Sequence, residues 1–252
     1  MTSLAVNARR LTAPPLLARE AALFADLDGT LAPIEARPDQ VRPEAARTAL
    51  LRDLSAALDG RLAILSGRGL DDLDRLLGGS VTAVAAIHGL IRRDARGWVH
   101  EAPPHPDLPR AAEALVRFAA AHPGLLAETK SHAAALHYRA APRLEAEARA
   151  FAASLAERYG LVPQPGRMVI ELRTPGPDKG EALAAFMAEP PFAGATPVFI
   201  GDDATDEHGF GAAERLGGYG VIVGDRRPTR ARFALAGVAD ALEWLGACRE
   251  GR

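Results

Sequence analysis

The chain has 252 residues, with 30 basic against 32 acidic, a formal net charge of −2 and only 5% aromatic side chains. That length holds one large or two modest domains with real cores. The balanced charge and scarce aromatics exclude a basic field or a stacking platform for nucleic acid, and exclude attraction to a membrane surface.

Cys248 is the only cysteine, which rules out an internal disulfide or a cysteine-based metal cluster and fits a reducing compartment. No run approaches 18 apolar residues, so no membrane span is expected. The first 19 residues carry Arg9, Arg10 and Arg19 and no acid. However, the stretch 11–18 holds two prolines and is short for a secretory core, so 1–20 reads as a frayed tail and the protein as cytoplasmic.

The apolar run 22–25 reads as a buried strand that ends in Asp26 and Asp28 and breaks at Gly29-Thr30. Open α/β sheets place their chemistry at this carboxyl end. Two acids there need a cationic partner, and Mg²⁺ fits as a hard cation that takes oxygen ligands. A loop with Pro33, Pro38 and Pro43 leads to a helix over 44–58. A second strand, 61–66, closes on Ser66-Gly67-Arg68. A helix over 70–77 and a third strand, 81–87, end at His88-Gly89. Strands and helices alternating at these lengths indicate a doubly wound, Rossmann-like parallel sheet.

The pattern then changes. Residues 91–100 read as a hairpin, and four prolines between 103 and 109 as a linker. Leu108, Ala112, Leu115 and Ala119 share one helical stripe, and Leu144, Ala148, Phe151 and Leu155 share another. Strand-like pieces lie at 125–130, 133–139 and 168–173. These make a small α+β domain over 104–174, inserted between core segments 1–103 and 175–252. Glu128 and Lys130, two apart, share one strand face. Met168, Ile170 and Leu172 should face the helices, leaving Val169, Glu171 and Arg173 toward the cleft. His137 and Arg139 read as ordinary surface. The core pattern returns at Asp178-Lys179-Gly180, which opens a helix. A strand over 197–200 runs into Gly201-Asp202-Asp203, with Asp206 beyond it at the start of a helix to 216. A strand at 221–223 and a helix at 239–245 complete the chain.

Asp26 and Asp28, Ser66, Lys179 and the acids Asp202, Asp203 and Asp206 thus converge on one sheet edge. A carboxylate nucleophile, a hydroxyl, an ammonium and acids around a cation suit phosphoryl transfer. In order, these residues resemble the four motifs of haloacid-dehalogenase-like phosphatases. The resemblance implies Asp26 as nucleophile through an aspartyl-phosphate, Asp28 as acid/base, Ser66 and Lys179 as phosphoryl and charge partners. It also implies Mg²⁺ on Asp26, the Asp28 carbonyl and Asp202, with Asp203 or Asp206 in or near its shell.

The stretches Ser66-Gly67-Arg68, His88-Gly89-Leu90, Glu128-Thr129-Lys130, 135–139 and 166–171 resemble the trehalose-6-phosphate phosphatase family. That resemblance implies the α+β cap of the sugar-phosphatase branch and a role in trehalose biosynthesis. The substrate contacts it implies are Gly29, Arg68, His88, Gly89, Glu128, Lys130 and Glu171. With no glycosyltransferase region, a free-standing phosphatase is implied. Phosphatases of sucrose phosphate or mannosylphosphoglycerate share the core and cap type. A receiver-like binding module is a rival of another class, opposed by Asp28, the insertion and the Gly-Asp-Asp strand.

Overall fold

A computed structural model describes residues 11–251. Its main sheet has eight strands in the order β12-β11-β10-β1-β2-β3-β4-β5. These are β1 (Ala21–Ala25), β2 (Leu62–Leu65), β3 (Ala83–Ala86), β4 (Ile91–Arg93), β5 (Val99–Glu101), β10 (Thr196–Gly201), β11 (Tyr219–Val223) and β12 (Phe233–Leu235). Pairing is parallel from β12 through β3, and β4 and β5 add an antiparallel edge.

Every residue of β1 is buried. Leu23 and Ala25 pack under α1 (Ala45–Ala57), α2 (Leu70–Leu77) and α7 (Val238–Glu250), whereas Ala22 and Phe24 pack under α5 (Lys179–Met187) and α6 (Asp206–Arg215). An apolar strand covered on both faces is what a short uninterrupted hydrophobic run specifies. From β1 the chain steps outward through β2 and β3, and it later returns to β10 on the other side of β1. The β1/β10 boundary is therefore the switch point, where a crevice opens beyond the strand ends.

Between β5 and α5 lies a second, four-stranded antiparallel sheet, ordered β6-β7-β9-β8. It comprises β6 (Leu126–Thr129), β7 (Ala133–His137), β8 (Val162–Gly166) and β9 (Val169–Arg173). Helices α3 (Leu108–Ala121) and α4 (Glu145–Tyr159) cover one face. Ala134, Leu136, Tyr138, Ile170 and Leu172 pack against them, with Met168 partly buried alongside. The period-2 alternation leaves the opposite face bare, turned toward the ends of the core strands. This inserted unit is the cap.

Some elements differ from the sequence reading. Val162-Pro163-Gln164-Pro165-Gly166 carries two prolines, yet forms β8, an edge strand, where missing N–H donors are tolerated. β12 is a three-residue edge strand with too little pattern to register. The expected frayed tail is corrected from residue 12 onward. Thr12 O accepts from Ala234 N (3.0 Å), Pro15 O from the Trp244 indole (3.0 Å), and Leu17 is buried. Residues 1–10 of that tail lie outside the described residues.

Candidate active site

The ends of β1 and β10 and the first turns of α5 and α6 bring four charges together, on Asp26, Asp202, Lys179 and Asp206. Asp178 caps α5, accepting from Gly180 N and Glu181 N while Glu181 returns a bond to its backbone, so Lys179 is fixed at the first helical position. The Lys179 ammonium donates to Asp26 Oδ1 at 2.8 Å and Asp206 Oδ1 at 2.7 Å. Burial disfavours its charge, but Asp206 and Asp26 outweigh that and hold its pKa well above the lysine range. Asp206, fully buried, accepts from Asp202 N and Asp203 N through its other oxygen, both at 2.9 Å. It sets the lysine and the turn after β10 at once.

One ammonium does not compensate the acids. Burial, with Asp206 and Asp202 nearby, pushes the Asp26 carboxyl up despite Lys179. Burial and the Asp206 and Asp203 charges push Asp202 up to about 7. Carboxylate oxygens of Asp26, Asp202 and Asp206 lie within 4.8 Å of one another, and Asp202 Oδ1 is buried with no hydrogen-bond partner. An orphaned acid oxygen among other acids fits a hard divalent cation. Asp203 instead accepts from Thr205 N at 3.0 Å through Oδ1. Gly29 makes this close approach feasible. Its φ is +87°, and a Cβ there would lie 2.2 Å from Asp202 Oδ2.

On the β2 side, Arg68 grips Asp28 with two bonds, Nε to Oδ2 at 2.6 Å and Nη2 to Oδ1 at 2.8 Å. Its Nη1 contacts Asp72, and both terminal nitrogens reach Pro38 O at 3.2 Å. Ser66 is buried, its hydroxyl accepting from Arg68 N at 3.2 Å, so the serine also shapes the turn after β2.

The bare cap face closes over these groups. Lys130 donates to Glu171 Oε1 at 2.7 Å and across the cleft to Gly67 O at 2.9 Å. His88, from the core, meets Glu171 Oε2 at 2.9 Å. Burial alone would raise the Glu171 carboxyl, but the Lys130 charge and the His88 hydrogen bond hold it well below the usual carboxylate range. The resulting cavity, about 180 Å³, is lined by Asp26, Asp28, Ser66, Arg68, His88, Glu128, Lys130, Glu171, Lys179, Asp202 and Asp203. Asp206 sits behind this lining. Gly29 and Gly89 act through the backbone instead: a Cβ on Gly89 (φ +116°) would lie 2.5 Å from Asp178 O, beneath the capped end of α5.

Two expectations are corrected. Arg173 does not line the cavity: it turns to Pro177 O (2.9 Å) and Gly176 O (2.7 Å), because those carbonyls of the returning linker lie within its reach. His137 and Arg139, read as ordinary surface, do line it, as do Gln164 and Arg167. The signal for the first two was present, since residues 135, 137 and 139 alternate with the helix-facing 134, 136 and 138.

Charge this dense and this closely paired at a switch point suits phosphoryl transfer, and with the α+β insertion the molecule has the fold of a haloacid-dehalogenase-like phosphatase. The family model for trehalose-phosphatase matches residues 24–239. The trehalose-6-phosphate phosphatase of Escherichia coli (strain K12) is 42% identical over 241 residues, covering 93% of this chain and 89% of that protein. A probable trehalose-phosphate phosphatase of Sinorhizobium fredii (strain NBRC 101917 / NGR234) is 40% identical over 226 residues, covering 89% and 85%. The solved structure of a trehalose-6-phosphate phosphatase related protein superposes with a TM-score of 0.77 at 27% identity, covering 90% of this chain and 96% of that one. The chain belongs to the trehalose-phosphatase family and is a phosphatase.

Proposed function

We propose that this protein hydrolyses trehalose 6-phosphate to trehalose and phosphate with Mg²⁺, through an aspartyl-phosphate on Asp26. The observation that carries the reading is the buried Lys179 bridging Asp26 and Asp206 beneath a cap face of charged and hydrogen-bonding groups. Asp26 is held through Oδ1, and among the described residues Oδ2 has no hydrogen bond, leaving it to attack phosphorus. Lys179 fixes its orientation and offsets charge, while Ser66 offers its hydroxyl to a phosphoryl oxygen.

Asp28 protonates the leaving sugar oxygen and then takes a proton from the water that cleaves the acyl phosphate. Its grip by Arg68 must loosen first, since both carboxylate oxygens are engaged. Mg²⁺ fits Asp26, Asp202 and the Asp28 carbonyl, with Asp203 and Asp206 around them, and would supply positive charge for the phosphoryl oxygens. On the cap side, Glu128, Lys130 and Glu171 receive the disaccharide, with Arg68 and His88 at the junction. The segment 104–174 acts as a cap on segments 1–103 and 175–252. The names of the relatives support a place in trehalose metabolism, which this reading puts in the cytoplasm.

The test is phosphate release from a panel of sugar phosphates, with Mg²⁺ and with excess chelator. Trehalose 6-phosphate should be turned over fastest, and only with metal. Faster turnover of sucrose phosphate or mannosylphosphoglycerate, or full activity in chelator, would overturn the reading.

A further inference from the structure

The contact between His137 and Glu128 belongs to neither the chemistry nor the cap–core closure. Glu128 lies on β6 at the edge of the cap sheet, and His137 is the last residue of β7. In the antiparallel register Glu128 stands opposite Ala135, and His137 opposite Leu126, so the two side chains meet diagonally on the bare face. His137 Nε2 lies 2.8 Å from Glu128 Oε2. That geometry needs the proton on Nε2, with the imidazole donating and the carboxylate accepting.

The surroundings make the pairing selective. Ala135, directly opposite Glu128 and two residues before His137 on the same face, has a short side chain that leaves the face open and lets the longer ones reach each other. Lys130, two residues from Glu128, is already committed to Glu171 and to Gly67 O. Among the described residues, His137 is therefore the one side chain that holds Glu128, and no hydrogen bond is made to Glu128 Oε1. Both side chains are partly buried, at 20% and 31% exposure, which makes an unguided carboxylate rotamer costlier than at an open surface. Burial alone would raise the Glu128 carboxyl, but the His137 hydrogen bond and the Lys130 charge bring it below its ordinary value.

We propose that His137 is a positioning residue for sugar recognition: it fixes Glu128 through Oε2 so that Oε1 is presented to a hydroxyl of the substrate. The inference rests on the reading of Glu128 as a sugar contact. His137 acts through Glu128, so its contribution disappears when Glu128 can no longer be held. A preorganised acceptor strengthens binding mainly by reducing the ordering cost on association.

A double-mutant cycle tests this with trehalose 6-phosphate and with p-nitrophenyl phosphate, which offers no disaccharide. His137→Leu should lose about tenfold in kcat/KM on the sugar phosphate, mostly through KM, and less on the aryl ester. His137→Gln, whose amide N–H extends to about the position of Nε2, should recover most of that loss. In a Glu128→Ala background, which leaves His137 no acceptor to hold, His137→Leu should add little. Additive losses, failure of His137→Gln to rescue, or equal losses on both substrates would overturn the proposal. Thermal melts identify a folding defect, which His137→Gln should avoid. If Glu128→Ala loses activity on trehalose 6-phosphate while His137→Leu does not, this inference alone fails. If Glu128→Ala loses nothing, the functional reading of Glu128 fails and takes the inference with it.

Discussion

The two sheets that face each other across the cleft hold charge in opposite ways. At the core, Asp26, Asp206 and Lys179 are almost wholly withdrawn from solvent and bound to one another by contacts of 2.7–2.8 Å. They come from three elements far apart in sequence, gathered by the switch point of a parallel sheet. On the cap, the polar residues line one face of a four-stranded antiparallel sheet, and Glu128 and His137 remain partly exposed. Rearranging the core charges would strand an uncompensated ion, a cost of several kcal/mol. Exchanging Glu128 or His137 on the bare cap face costs far less, because both are partly exposed and water can take the place of a lost partner. A chemistry shared by many substrates therefore suits the core, and discrimination among sugars suits the cap.

The largest effect expected is from Asp26→Asn. It keeps size and removes the carboxylate proposed as nucleophile, so turnover should fall at least ~10⁴-fold on trehalose 6-phosphate and on p-nitrophenyl phosphate alike. Steady-state kinetics of the folded variant decides it, and a substrate-dependent loss would break the division between the sheets.

Gly29→Ala comes next. A methyl group 2.2 Å from Asp202 Oδ2, at φ +87°, must displace that carboxylate. Activity should fall by ~10²-fold or more on both substrates, with weaker Mg²⁺ binding by calorimetry, because the damage falls on charge placement in the core. Wild-type metal affinity would show that Asp202 does not serve the cation.

Glu171→Gln addresses the cap. The residue loses an anionic acceptor for Lys130 and His88, and an expected cost of about 1.5–3 kcal/mol corresponds to ~10- to 100-fold in kcat/KM on trehalose 6-phosphate. The aryl phosphate should lose much less. Equal losses would assign Glu171 to the core chemistry or to the fold.

The smallest effect on turnover is expected at the joint. Arg173→Leu deprives the Pro177 and Gly176 carbonyls of their donors. It should cost about 1–3 kcal/mol of stability, or about 2–4 °C in Tm per kcal/mol, with kcat changed little. An unchanged melting curve would show that solvent satisfies those carbonyls equally well.

The same contrast governs what was legible in the sequence. The core motifs stand out because a doubly covered strand is an unbroken apolar run, and an acid or a Ser-Gly at its end is conspicuous. β1, β2 and β10 and their terminal Asp26, Ser66 and Asp202 follow from that alone. The cap strands β6, β7 and β9 were readable from alternation, which also set Ile170 and Leu172 inward. His137 and Arg139 read as ordinary surface because their helix-facing neighbours include the small Ala134, so the period-2 pattern of β7 is shallow. The prolines of β8 mask an edge strand whose outer N–H groups need no partner. Arg173 obeys the alternation and still leaves the cavity, because the long side chain follows carbonyls that only the folded linker brings near. The role of Gly89 against Asp178 likewise depends on a contact between elements about 90 residues apart.

The two linkers that lead into and out of the cap are tied together. His105 N donates to the Thr174 hydroxyl at 3.0 Å, and Thr174 N to His132 O at 2.8 Å. The His132 imidazole bonds Ala102 O at 2.6 Å. The inserted segment thus departs from the main sheet and rejoins it at a single seam, and no strand of that sheet depends on the segment for its register. Such a segment is a cassette. It can be lengthened, trimmed or exchanged through recombination at one stitched point while the parallel sheet goes on assembling as before, and the fold can acquire a new substrate without rebuilding its engine.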